Sequence, residues 1–113
     1  MPAAPQPSLR FFHSKALRAK TLKVIDTVEK ADDPTRHAGA LADHVVELTE
    51  AGFDYFLLKP LEMVDANFVV RQTASFGMGG ALRIMSPVIQ TILKGMDGKQ
   101  LLAVCTFIRS LMK

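Results

Sequence analysis

The chain has 113 residues and a formal charge of +3, from 14 Lys and Arg against 11 Asp and Glu, a length that fits one compact domain. Hydrophobic residues make up 49% of it, which excludes a disordered chain, and its single cysteine excludes a disulfide framework and a multi-cysteine zinc site. Its longest uncharged stretches, 72–82 and 84–93, are shorter than the roughly 20 apolar residues of a membrane span. Residues 1–9 also lack the pattern of a secretory signal. We expect a cytoplasmic protein that does not span a membrane, with residues 1–7 as a disordered N-terminal arm and residues 8–113 as a single helical domain.

Two amphipathic helices are predicted at the start of this domain. Apolar residues recur at helical spacing over residues 14–31 and predict the first helix. Asp33 is a typical N-cap and Pro34 suits the first helical position, so the second helix should begin there. It should run to about residue 51, where Gly52 is expected to stop it in a left-handed conformation.

The aromatic and aliphatic segment 53–58 fits either a short helix or a buried strand by composition. We favour the helix because the sequence offers no partner strand. Its expected end is at Lys59 and Pro60, since proline disfavours helical geometry in the residue before it.

A third long helix is predicted from Asp65, as N-cap, towards residue 85. Gly77, Gly79 and Gly80 lie inside it, and each costs about 1 kcal/mol relative to alanine. The sequence therefore predicts a kink or a break at 77–80.

The last two helices are predicted from their capping residues. Ser86 and Pro87 should open a helix over 88–94 that Gly95 ends. Asp97 and Gln100 then form a capping box for the last helix, 98–112.

These elements predict an all-α fold, a small irregular orthogonal bundle of four to six helices. An α+β alternative would need strands at 53–58, 68–73 and 101–108. The helix-capping residues Asp65 and Asp97 argue against it.

The segment 66–96 is unusually poor in charge, with no Asp or Glu and only three basic residues. A domain of this length has little interior in which to hide so much apolar surface. Excess apolar surface indicates a partner, and a second copy of the chain is the simplest one, giving a dimer or tetramer. We expect the contact residues to be Phe68, Phe76, Leu102 and Phe107.

Basic side chains support an alternative, a binding protein for an apolar ligand or an anionic lipid surface. The anion or lipid contacts would be Lys15, Arg18, Lys20, Lys23, Arg71 and Arg83. Nucleic acid is not an expected partner, because the charges of the first helix scatter around it and no nucleic-acid-binding motif is present.

The remaining chemistry-bearing residues predict no catalytic, metal or cofactor site. His37 and His44 are two helical turns apart, roughly 10 Å along the axis, too far to share one ion. Cys105 lies on an apolar helix face and is expected to be a buried structural thiol. Ala74, Gly77 and Ala81 form a strip of small residues expected to let another helix approach closely. The sequence therefore favours a non-enzymatic, self-associating interaction module.

Overall fold

The computed structural model describes residues 12–112, in which four helical stretches form a small, irregular all-α bundle. The predicted arm, residues 1–7, lies outside the described residues. The first stretch is α1 (Lys15–Lys30), and the second combines a 3₁₀ turn (Pro34–His37), α2 (Ala38–Phe53), a π-helical turn (Asp54–Leu58) and α3 (Lys59–Met63). The third is α4 (Phe68–Lys94) and the fourth is α5 (Gly98–Leu111).

Three predicted helix starts are confirmed by their capping hydrogen bonds. The Ser14 side chain accepts from the Leu17 backbone N–H at 3.0 Å. Asp33 accepts from the Thr35 N–H at 3.1 Å, although the first turn there is 3₁₀ rather than α. Asp97 and Gln100 form both hydrogen bonds of the predicted capping box, at 2.8 and 2.9 Å.

The predicted end of the second helix at Gly52 is wrong, because the helical backbone continues to Met63 without a left-handed glycine. The segment 53–58 is helical, as predicted, but Pro60 does not end it. The Lys59 N–H donates to the Asp54 carbonyl five residues back, which makes the turn before Pro60 π-helical. The wider turn accommodates a residue that lacks an N–H.

Asp65 ends one helix instead of starting the next, so its predicted role as an N-cap is wrong. It adopts a left-handed φ of 52°. The Asp65 N–H donates to the Glu62 carbonyl, and the Ala66 N–H donates to the Leu61 carbonyl. This pair of bonds is the Schellman arrangement that closes a helix C-terminus. The N-cap of α4 is Asn67, whose side chain accepts from Val70 N–H at 3.0 Å.

Of the predicted kink or break at 77–80, the break is wrong, and the predicted helix start at Ser86 and Pro87 is wrong as well. α4 runs from Phe68 to Lys94 through the glycines and through Pro87, and it ends at Gly95 as expected. Packing explains this continuity, since α4 lies along α2 in the most extensive helix–helix contact of the described residues. Tertiary contacts of this kind override the weak helix propensity of single residues.

The hydrophobic core lies where α1, α2, the C-terminal end of α4 and α5 meet. Both of the predicted amphipathic helices, α1 and α2, contribute to this core, and Val45 and Leu48 of α2 pack against it. Its buried members are Ile25, Val28, Ala38, Leu41, Ala42, Leu93, Leu101, Cys105 and Ile108. The N-terminal two-thirds of α4 contributes none of these residues, so most of that helix lies outside the main core.

Candidate functional site

The four predicted contact residues are all exposed, and they lie on two helices. Phe68 and Phe76 on α4 are 70% and 73% exposed, and Leu102 and Phe107 on α5 are 36% and 63% exposed. α4 packs chiefly on α2, whereas α5 packs on α1 and on the 3₁₀ turn. The structure therefore presents them as separate apolar surfaces on α4 and α5.

The surface of α4 is a continuous exposed row, which we call the α4 seam. All of its members are exposed and uncharged, and at about 100° per residue they share an arc of about 100° on the helix. They are Val69, Thr73, Gly77, Gly80, Ile84 and Val88. The α4 seam thus lies on the side of the helix that faces away from its neighbours.

Neither close packing nor backbone conformation requires glycine at positions 77, 79 and 80 of α4 within the described chain. A Cβ atom built at Gly77, Gly79 or Gly80 has nothing within 4 Å, and none of the three has a positive φ. Each still costs about 1 kcal/mol of helix stability relative to alanine. The close packing predicted for the Ala74, Gly77 and Ala81 strip is therefore absent at Gly77 within the described chain.

A shallow open groove borders the α4 seam at Gly79 and Gly80, because these two positions of the helix carry no side chain. Phe76 stands on one side of it, and Arg83 closes it one turn later along the helix. The other lining residues are Gln72 and Ser75. The groove combines an apolar wall, polar groups and one cation. Gly80 belongs both to the α4 seam and to the lining of this groove.

The six predicted anion contacts do not form one surface. Lys15, Arg18 and Lys23 line an open groove along α1, together with Lys30. Lys20 is used elsewhere, because its Nζ lies 2.6 Å from Glu47 Oε2 on α2.

The two remaining predicted anion contacts are on α4. Arg71 is exposed near the start of that helix, and Arg83 lines the groove beside Phe76. The predicted set therefore splits between a basic groove on α1 and single cations elsewhere.

His44 forms the main polar cluster of the interior. Its Nε2 lies 2.6 Å from Thr21 Oγ1, which donates its single proton to the Leu17 carbonyl at 2.7 Å. The other ring nitrogen, Nδ1, is buried and lies 3.6 Å from Glu47 Oε2. Burial lowers the pKa of His44, and the nearby Glu47 carboxylate partly offsets that effect.

This cluster resembles a hydroxyl, imidazole and carboxylate relay in composition only. A nucleophile must reach its substrate, and Thr21 is completely buried. The cluster instead joins α1 to α2. His37, the other histidine of the predicted pair, lies half-exposed on the 3₁₀ turn.

Cys105 is a buried thiol, as predicted. Burial raises its pKa, the Glu29 carboxylate adds to the rise, and Arg109 opposes it. A raised pKa keeps the group protonated and unreactive. Among residues 12–112, no three His, Cys, Asp or Glu side chains are placed to hold a metal ion.

Sequence reasoning named Phe76 but missed the α4 seam around it. The signal was available, because the six residues share one face of a continuous helix. The predicted interruptions at 77–80 and at Ser86 divided that face between two shorter helices.

Comparison with known proteins finds no matching family, no similar curated protein and no similar solved structure. Within the described part of the chain, no helix has both the length and the apolar character that crossing a bilayer requires.

Proposed function

We propose that this chain is a non-enzymatic interaction module that self-associates through the exposed apolar side chains of α4 and α5. Phe68, Phe76, Leu102 and Phe107 are the proposed contact residues. The proposal rests on one observation above all: these four large apolar side chains are exposed on well-formed helices, and α5 buries its other face in the core.

The physical driving force is removal of apolar surface from water, at about 25 cal/mol for each Å² buried. Single exposed apolar residues are ordinary on a protein surface. Here, however, exposed Phe, Ile and Val side chains follow one another along α4 from Phe68 to Ile92. So many exposed apolar side chains on one helix are typical of an interaction site.

Light scattering and native mass spectrometry at two protein concentrations test the proposal. We expect a dimer or tetramer whose mass is that of the polypeptide alone. Phe76→Gln and Phe107→Gln locate the contact on α4 or α5, and neither residue belongs to the buried core. A chain that stays monomeric at both concentrations contradicts self-association.

A second candidate function is binding of an apolar ligand or of an anionic lipid surface. The observation that favours it is the groove on α1, which Lys15, Arg18, Lys23 and Lys30 line together with Leu22 and one carboxylate, Asp26. Asp26 is paired with Arg109. Flotation with phosphatidylserine-containing vesicles tests it, with phosphatidylcholine vesicles as the control. Lys15→Gln combined with Lys23→Gln should weaken binding to the anionic vesicles, and absence of flotation contradicts this candidate.

A further inference from the structure

We infer that two copies of this chain pair α4 against α4 in antiparallel orientation along the α4 seam, with Gly77 of one copy facing Gly80 of the other. The inference rests on the proposed self-association and gives its symmetry and register. It places the contact on α4, where Phe76 is the proposed contact residue that borders the seam. The partner is a second copy of the same chain.

The spacing of the α4 seam is palindromic. Its residues 69, 73, 77, 80, 84 and 88 are separated by four, four, three, four and four positions. In an antiparallel pair with a two-fold axis, Val69 therefore faces Val88 and Thr73 faces Ile84. Such an isologous contact needs one surface that is complementary to its own copy, and this row has the required symmetry.

The proposed pairing explains why glycine occupies positions 77 and 80, whereas no contact within the described chain does. Gly77 and Gly80 lie at the centre of the row, where the two helix axes would come closest. Small residues at a crossing point let two backbones approach each other, as in the small-xxx-small pairs of membrane helices. The open space around both glycines is the space that a second helix would occupy.

The exposed apolar area matches what a specific dimer needs. Six residues on this side of α4 are between 44% and 74% exposed: Val69, Val70, Phe76, Ile84, Val88 and Ile92. At roughly 150 Å² for an aliphatic side chain and roughly 200 Å² for phenylalanine, they present about 600 Å² per copy. With all six covered, two copies would bury up to about 1,200 Å², which reaches the lower limit for stable interfaces.

Charge also favours a second copy over other partners. From Val69 to Ile92, the charged residues are Arg71 and Arg83, and neither is a member of the α4 seam. Arg83 borders the seam, and in the antiparallel register it faces Ala74 of the other copy, so the pairing brings no like charges together. The antiparallel orientation also places the positive end of each helix dipole beside the negative end of the other. A lipid surface is less suitable, because membrane-surface helices insert bulky side chains and the centre of this row has none.

Leucine substitutions at adjacent glycines provide a matched experiment. Gly77→Leu and Gly80→Leu place a bulky side chain in the α4 seam, whereas Gly79→Leu places the same side chain on another face of the helix. All three positions are open within the chain, and leucine is a better helix former than glycine. The three variants should therefore fold at least as stably as the wild type, which thermal unfolding checks.

Sedimentation velocity measures the dimer dissociation constant of the four proteins. We expect Gly77→Leu and Gly80→Leu to raise it at least about 10-fold, and Gly79→Leu to change it less than about 2-fold. Equal effects at Gly79 and Gly80 would overturn the inference. A dimer unaffected by all three substitutions would also overturn it while leaving self-association in place, with Phe107→Gln as the next variant. A monomeric wild type, floating with phosphatidylserine vesicles or not, would overturn both proposals.

Disulfide cross-linking tests the orientation separately. In a Cys105→Ser background, Thr73→Cys and Ile84→Cys proteins are mixed and oxidised. The antiparallel register predicts disulfide-linked dimers between the two variants and few within either one, since a disulfide needs Cα atoms about 4.4–6.8 Å apart. Efficient cross-linking of Thr73→Cys to itself would indicate a parallel pair and would overturn the proposed register.

Discussion

Thr21 Oγ1 on α1 lies 2.6 Å from His44 Nε2 on α2, and both residues are buried. This contact joins two helices that also meet through aliphatic side chains of the core. The imidazole is also held beside a carboxylate, because its Nδ1 lies 3.6 Å from Glu47 Oε2. Lys20 Nζ lies 2.6 Å from the same Glu47 oxygen, so one cation already neutralises that carboxylate.

The stability of the fold should fall as the pH drops below about 6.5, the usual pKa of histidine. Burial lowers the pKa of His44 in the folded chain, so just below that pH the unfolded chain binds more protons than the folded one. Stability therefore rises with pH through this window and is fully present above it. Thermal unfolding between about pH 5 and 7.5 measures the slope, at pH values above those where carboxylates titrate.

His44→Gln is the control for this pH dependence, because glutamine keeps a donor near Thr21 and does not titrate. The variant should show a smaller fall in melting temperature on acidification than the wild type. Equal slopes for the two proteins would show that His44 is not the group responsible.

Thr21→Val should destabilise the fold by about 1–3 kcal/mol, because it leaves the buried Nε2 of His44 without its hydrogen-bond partner. Valine has nearly the shape of threonine, so packing changes little. Chemical denaturation measures the difference. Thr27→Val is the matched control, since Thr27 is exposed on the same helix and bonds only to the Lys23 carbonyl in the same helix. Similar losses for the two variants would contradict a structural role for the Thr21 hydroxyl.

The helix starts were predictable where capping depends on residues close in sequence. Asp97 and Gln100 satisfy each other's backbone groups over one turn, so their chemistry requires no information from the rest of the fold. The N-cap role predicted for Asp65 was wrong because aspartate also tolerates the left-handed conformation that ends a helix. The sequence alone did not distinguish the two roles.

The helix interruptions were not predictable, because packing decides whether a helix breaker acts. Met78 and Leu93 are buried on either side of Ser86 and Pro87, and α4 packs against α2. That contact offsets the missing N–H of Pro87 and the weak propensity of the glycines. The α4 seam depends on this continuity, so it became visible only once α4 was known to be a single helix.

Arg109→Gln should lower the melting temperature at low ionic strength and have a smaller effect at high salt. Arg109 Nη2 lies 2.8 Å from Asp26 Oδ1 and 2.8 Å from Glu29 Oε1, and it joins α5 to α1. The Arg109 hydrogen bond lowers the pKa of the Asp26 carboxyl, which supports a charged contact. All three groups are partly exposed, so salt should screen them. Arg36→Gln is the control, because the Arg36 pair with Asp33 is local and 4.0 Å long.

Cys105 should react with a thiol reagent such as dithionitrobenzoate only when the fold opens. The side chain is fully buried in the core, and burial raises the pKa of its thiol, so both access and thiolate formation are suppressed. In native buffer the labelling rate should therefore be limited by how often α5 opens. It should rise with added denaturant, which makes that opening more frequent. One thiol per chain should react at once in full denaturant, which verifies the assay. Rapid complete labelling of the native protein would contradict a closed core around α5.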